Sequence, residues 1–171
     1  MEGISAVAVA LAGDSAQAAR LAHDLSKRFP ESTIVQSSYL PILRAGISLH
    51  NHAHRNGIDV LTTAEPYEFG SPSQMVSFLL YPIYVRGLAL LAARQGTAAA
   101  AEFQKILDRP GLALNEPIAA LTHVQLARAY AITGDTAKAR AAYQDFFAIW
   151  KDADSDIPIL KQAKAEYGEL Q

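Results

Sequence analysis

Along most of the chain apolar residues return every three or four positions with polar residues between them, and no stretch alternates convincingly as a strand would. Leu79, Ile83, Leu88 and Leu91 share one face ahead of a turn, and Phe103, Ile106 and Leu107 follow it. Further on, Leu121, Leu126 and Tyr130 precede a second turn, and Tyr143, Phe146, Phe147 and Trp150 follow it. These spacings predict helices, and the aromatic stripe reads as core rather than as a cofactor site. A last helix is expected from Ile159, Leu160, Ala163, Tyr167 and Leu170, with Asp156 as its cap and Pro158 in its first turn. The acidic run from Asp152 to Asp156 then becomes a solvated connector.

The helical pattern is interrupted at regular intervals. In "LARAYAITGDTAKARAAYQDF" the break is Gly134-Asp135, with Ala127 seven residues before the glycine and Ala139 five after it. The same ruler finds Ala6 and Ala18 around Gly13, Ala89 and Ala101 around Gly96, and Ala45 and Gly57 around His52. The anchors 13, 52, 96 and 134 recur at roughly 40 residues, a period of helical repeat arrays. Small residues let two antiparallel helices approach where they cross. The glycine accepts a positive φ as a helix C-cap, and the polar residue after it caps the next helix. Phe29-Pro30, Pro66 with Gly70-Ser71-Pro72, and Pro110-Gly111 fall between the units as breakers.

These residues resemble tetratricopeptide repeats (TPR), most completely in "ALAGDSAQAARLAHDLSKRFP". Unit two departs from the pattern, with His52 where glycine is usual and Gly57 where alanine is usual. The resemblance implies an all-α, right-handed α-α superhelix of about four TPR-like helix pairs plus a C-terminal capping helix, with units near 1–31, 36–70, 74–111 and 116–151 and the cap at 157–170. A closer likeness runs through "AEPYEFG", "LYPIYVRGLALLAARQGTAAAAEFQKILDRPG" and "YQDFFAIWKDADSDIPILKQAKAEYGEL". Together with the first stretch these resemble the C-terminal TPR region of bacterial, notably acidobacterial, eukaryotic-like serine/threonine protein kinases. In that family a catalytic domain is followed by a membrane-spanning helix and then by this region. The resemblance implies a fragment of a longer signalling protein, a sensory or docking arm outside the cytoplasmic membrane, attached through a helix outside this stretch. Similar regions end some winged-helix transcriptional regulators, and a stand-alone adaptor is the third arrangement; either would be cytoplasmic. Kinase activity is not carried over, because no glycine-rich nucleotide loop, Val-Ala-Ile-Lys, His-Arg-Asp or Asp-Phe-Gly occurs here.

Composition narrows the chemistry. With 171 residues, 50% hydrophobic and 19% charged, the chain can bury one substantial core. The net charge of -2 is spread along it without a lysine or arginine block, so contact with nucleic acid is not expected. The absence of cysteine removes thiolate catalysis, cysteine-based zinc sites and disulfides. The apolar run from Ile4 to Ala12 falls short of the ~20 residues that span a bilayer and has no basic segment before it, so neither a membrane span nor a signal peptide is read there.

Candidate chemistry is sparse. His50, His52 and His54 in "HNHAH" offer three imidazoles to a transition metal, and His50 and His54 share a helix face. The competing reading, a solvent-exposed polar elbow, is favoured by the place of His52 in the turn and by the lack of an adjacent carboxylate. His23 and His123 read as helix residues, and Glu65 and Glu68 around Pro66-Tyr67 as part of an inter-unit loop rather than an acid/base pair. No enzyme activity and no cofactor are expected. Binding is the better expectation: in the TPR register Tyr39, Arg86, Arg94 and Arg128 fall at or near positions lining the concave groove. Arginine grips carboxylates bidentately and tyrosine adds contact area, a combination suited to a protein or peptide partner or an acidic ligand. The competing reading has these arginines solvating helix faces or pairing with neighbouring acids.

Overall fold

A computed structural model describes residues 2–69, 80–113 and 116–170, and among these the chain is all-helical with no strand. The breaker Gly70-Ser71-Pro72, the expected face residue Leu79 and the expected start of the third unit lie outside the described residues. The helices are α1 (Glu2–Leu11), α2 (Ser15–Arg28), α3 (Leu40–His50), α4 (His54–Leu61), α5 (Tyr81–Ala92), α6 (Gly96–Leu107), α7 (Pro110–Ala113), α8 (Pro117–Thr133), α9 (Thr136–Ile149) and α10 (Pro158–Gly168). A π-helical turn, Val35–Tyr39, leads directly into α3, and a 3-10 segment, Thr62–Tyr67, extends α4. No described helix is long and apolar enough to cross a membrane.

Four elbows join α1 to α2, α3 to α4, α5 to α6 and α8 to α9, and each turns on one left-handed residue: Gly13 (φ 95°), His52 (φ 58°), Arg94 (φ 56°) and Gly134 (φ 78°). The residue after each has nearly the same conformation: Asp14 (-77°, 76°), Ala53 (-92°, 53°), Gln95 (-91°, 66°) and Asp135 (-80°, 73°). Three elbows share a hydrogen-bond pair that closes the helix end. Ala53, Gln95 and Asp135 donate to the carbonyls of Ser48, Leu90 and Tyr130 at 2.8, 2.9 and 3.0 Å, while His52, Arg94 and Gly134 donate to Leu49, Leu91 and Ala131 at 3.2, 2.9 and 3.1 Å. In the first and last units the aspartate also caps the next helix, Asp14 accepting from the Gln17 amide at 2.9 Å and Asp135 from the Lys138 amide at 3.1 Å.

The third elbow corrects the sequence reading by two residues. Its left-handed residue is Arg94, so the small crossing residues are Gly87 and Ala99, both buried, and not Ala89 and Ala101. Ala89 is buried for other reasons, but Ala101 is exposed. Counted from the left-handed residue, the ruler then holds throughout: Ala6, Ala45, Gly87 and Ala127 before it, and Ala18, Gly57, Ala99 and Ala139 after it, are all buried. The left-handed backbone at His52 and Arg94 costs about 1–2 kcal/mol each, which the surrounding packing must offset. Gly96 has a different task. A Cβ there would lie 2.7 Å from the backbone oxygen of Ala129 and 2.9 Å from the Ile132 and Thr133 methyls, so its lack of a side chain lets α6 close on α8.

Packing follows chain order. The first helices of successive units, α1, α3, α5 and α8, touch one another in turn. Each of α2, α4 and α6 packs on the first helix of its own unit and on that of the next, and α9 packs on α8 and α10. A first helix inside the stack therefore has neighbours on several sides, which explains why α5 and α8 bury residues around most of their circumference. One apolar cluster ties α1, α2 and α3 together through Ala6, Ala18, Leu25, Leu40 and Leu43. A second runs from Val7 and Ile42 through Phe103, Tyr143 and Phe146 to Leu160 and Ala163. Burial of Phe103 and Phe146 at 0% exposure contributes about 2–3 kcal/mol each.

One breaker and one cap differ from expectation. Pro110 and Gly111 open the short α7 rather than a plain loop. The cap of α10 is Ile157, extended at φ -57° and ψ 123° and offering no side-chain bond, and not Asp156; the following Pro158 holds Ile157 out of the helical region.

The glycines separate packing from propensity. A Cβ on Gly57 would meet nothing closer than 3.4 Å, so Gly57→Ala should raise stability by about 1 kcal/mol. Gly96→Ala should lower it by about 1–3 kcal/mol, because a backbone oxygen has to move. Urea unfolding of both variants beside the parent checks the opposite signs.

Candidate functional site

Helix α5 is apolar on nearly every side, yet it carries Arg86, whose side chain is only 4% exposed. A guanidinium so placed must be paired, because desolvating an isolated charge is prohibitive. It meets Glu68 at 2.6 Å through Nη1 and Glu102 of α6 at 2.7 Å through Nη2, with Glu65 at 3.8 Å and the Leu61 carbonyl at 3.5 Å. Glu68 is as buried as Arg86, and Glu102 is also held by Lys105 at 2.7 Å. Burial alone would lower the Arg86 pKa, but Glu68 and Glu102 more than compensate and hold it above the ordinary value. The chain's own carboxylates thus consume Arg86. It does not line an open groove, and Glu68, in the turn after the 3-10 segment, is its buried counterion. The signal was present in the sequence: a lone arginine within "LYPIYVRGLALLA" requires a buried acid.

Arg128 of α8 makes a second, more open cluster. Its Nε and Nη2 donate to the two carboxylate oxygens of Glu166 on α10 at 2.9 and 3.0 Å, and Nη1 donates to Gln125 Oε1 at 3.2 Å. The Tyr143 hydroxyl of α9 donates to Glu166 Oε2 at 2.6 Å. Arg128 and Glu166 keep 24% and 26% of their side chains in water. Burial, followed by the adjacent Glu166 carboxylate, pushes the Tyr143 phenol well up. Burial would also raise the Glu166 carboxyl, but hydrogen bonds from Arg128 and Tyr143 outweigh it and leave the group below its ordinary value. The geometry is that of a carboxylate clamp, and α10 supplies the carboxylate.

The remaining candidates do not join these clusters. Tyr39 ends the π-helical turn half-buried, with its ring against Gly3, and burial raises its phenol pKa. Arg94 is exposed at the third elbow. The rings of His52 and His54 stand edge to face 5.9 Å apart, while His50 lies beside Gly13 at the neighbouring elbow. Among the described residues no group of three histidine, cysteine, aspartate or glutamate side chains is arranged to hold a metal ion. His50 ends α3 and His54 opens α4, so the two do not share a helix face as the sequence suggested, and the three imidazoles do not converge. His123 lines a cleft of about 510 Å³ with Ile106, Pro110, Glu116, Ile149 and Trp150. Burial lowers its pKa against the opposing pull of Asp145, whose carboxylate is 3.8 Å away.

Comparison with protein-family models, with curated proteins and with solved structures gives no match to this chain.

Arg86 and Arg94 should respond differently to perturbation. Arg86→Ala strands the buried Glu68 carboxylate and leaves Glu102 with Lys105 alone, and should cost about 3–5 kcal/mol, whereas Arg94→Ala at the exposed elbow should stay within about 0.5 kcal/mol, both read by urea unfolding. The lowered carboxyl of Glu166 contributes stability that is fully present above its ordinary value of 4.5 and is lost as pH falls through the folded value. Trp150 is the only tryptophan and shares a small cleft with Ile157 at the start of α10, so its emission reports on this docking. An acid transition in Trp150 fluorescence is expected, and Glu166→Gln should remove it.

Proposed function

We propose that this chain is a non-catalytic protein- or ligand-binding domain, a right-handed superhelical stack of four TPR-like helix pairs closed by α10. The observation that carries the reading is the recurrence of one elbow at residues 13, 52, 94 and 134, with small buried residues seven before and five after each. A chain built of one repeated joint offers an extended surface rather than a single enclosed pocket, and such surfaces hold peptides and protein segments. Because the first helices touch one another while the second helices span neighbouring units, the first-helix side forms the shorter layer and would be concave. Tyr39 and Arg94 remain the contact residues of this reading, Arg128 being already engaged by Glu166, and an acidic partner matches their chemistry.

In the same proposal the parent is a bacterial serine/threonine protein kinase, and this domain is its sensory or docking arm outside the membrane. The support is the resemblance of the four quoted stretches. An upstream reading frame encoding Val-Ala-Ile-Lys, His-Arg-Asp and Asp-Phe-Gly motifs and then a membrane-spanning helix is expected; a frame encoding a winged helix instead would overturn the kinase assignment.

Binding is tested on the full chain with fluorescein-labelled peptides of graded acidic content. Acidic members should bind about tenfold more tightly than neutral ones of the same length, and Arg94→Ala should remove most of that preference without changing the unfolding midpoint by more than a few degrees. Equal and negligible anisotropy changes across the whole series would count against the groove.

A further inference from the structure

We infer that the face of α8 and α9 beneath α10 is a docking surface for an amphipathic helix from a partner protein, and that α10 is its resident competitor. The partner helix would carry a leucine, an alanine three residues on and a glutamate three residues further, followed by an aromatic. The inference deepens the binding reading above and rests on it.

The chemistry of the occupant is read from the segment already seated there. Leu160 and Ala163 are the buried residues of α10, at 3% and 0% exposure, and Glu166 and Tyr167 continue the same stripe one turn later. Glu166 enters the clamp of Arg128 and Tyr143. Tyr167 stands edge to face on Phe147 at 5.7 Å and on Tyr143 at 6.2 Å, beneath the Arg140 guanidinium at 5.2 Å, and its hydroxyl accepts from Gln144 at 3.0 Å. Removing α10 would leave a half-buried arginine without its carboxylate beside uncovered aromatic faces. Only a helix that restores an anion, a small residue and an aromatic in that order satisfies all three.

The seat is also built to exchange its occupant. The 11 residues of α10 are too few to hold a helix alone in water, so its order depends on docking. A non-helical connector with Asp152, Asp154 and Asp156 separates it from α9. The ion pair at its centre keeps about a quarter of each side chain in water, unlike the Arg86 pair at 4%. These features place α10 among the segments that open locally before the stack does. Furthermore, α10 packs on α9 far more sparsely than α2, α4 and α6 pack on the first helix of the next unit.

The test uses the full chain and a labelled synthetic peptide corresponding to residues 157–170. Ala163→Asp places a charge at a fully buried position of α10 and undocks it without altering the seat. This variant should bind the peptide at least about tenfold more tightly than the parent chain does, and either Glu166→Gln in the peptide or Arg128→Ala in the protein should abolish the gain. A folded Ala163→Asp chain that binds no better than the parent would overturn the inference, as would a gain that survives Arg128→Ala. Should that variant fail to fold, hydrogen exchange of the parent decides: α10 amides exchanging about a hundredfold faster than those of α8 and α9 support the seat, and exchange at a common rate overturns it. A parent chain whose mass doubles in light scattering through exchanged α10 segments would assign the seat to a second copy and overturn the partner helix. Peptide capture by Ala163→Asp combined with no preference among the graded acidic peptides would sustain the seat while the groove reading falls.

Discussion

The stack depends on one backbone joint, a left-handed residue whose amide, joined at three of the four elbows by the next, closes the preceding helix end while the chain reverses. The two crossing bonds, such as Gly134 to Ala131 and Asp135 to Tyr130, set the angle at which the second helix returns. With that angle imposed, the helices cross at fixed distances from the joint, and only small residues fit at the crossing. Ala127 and Ala139 are both at 0% exposure for this reason. Where the joint carries a side chain, as at His52 and Arg94, the conformational cost is accepted because the packing downstream of it is unchanged.

Charge placement follows from the same geometry. A first helix inside the stack is surrounded, so a charged residue on it has to find its counterion within the fold. Arg86 does so between Glu102 of the second helix in its own unit and Glu68 of the segment ending the unit before. Such a cluster ties successive units together but adds little net stability, since desolvation takes back most of the Coulomb attraction. Its consequence is register: a shift of α5 along the stack would leave the two buried charges of Arg86 and Glu68 unmatched.

How much of this was legible in the sequence depended on the range of the interaction. Local signals were accurate where the residue itself makes the conformation, as at Gly13-Asp14 and Gly134-Asp135, where glycine takes the left-handed residue and aspartate caps the next helix. At the third elbow a glycine was present but served another purpose. Gly96 admits α8, while Arg94 makes the turn, and a rule that looks for glycine finds the wrong residue by two positions. The cap of α10 was misplaced for a similar reason, because the influence of Pro158 on Ile157 outweighed the capping capacity of Asp156. Tertiary pairings were less accessible. Arg86, Glu68 and Glu102 are 18 and 16 residues apart along the chain, and nothing local in Glu68 marks it as buried. The lone arginine in an apolar helix did carry the signal that some acid must be enclosed with it.

Arg86 and Arg128 present the same pairing of guanidinium and carboxylate at two depths, and depth decides what each can do. At 4% exposure water cannot replace either partner, so separating Arg86 from Glu68 costs nearly the whole desolvation energy of both ions. At 24% and 26% exposure water can solvate Arg128 and Glu166 as they part, and the barrier to exchange is correspondingly lower. The difference arises from position in the stack. An interior unit is covered by a neighbour on each side, whereas the last is covered by one short helix on a polar tether. Of the two pairings, the one under α10 is the more open to water, and it includes an arginine already oriented for a carboxylate.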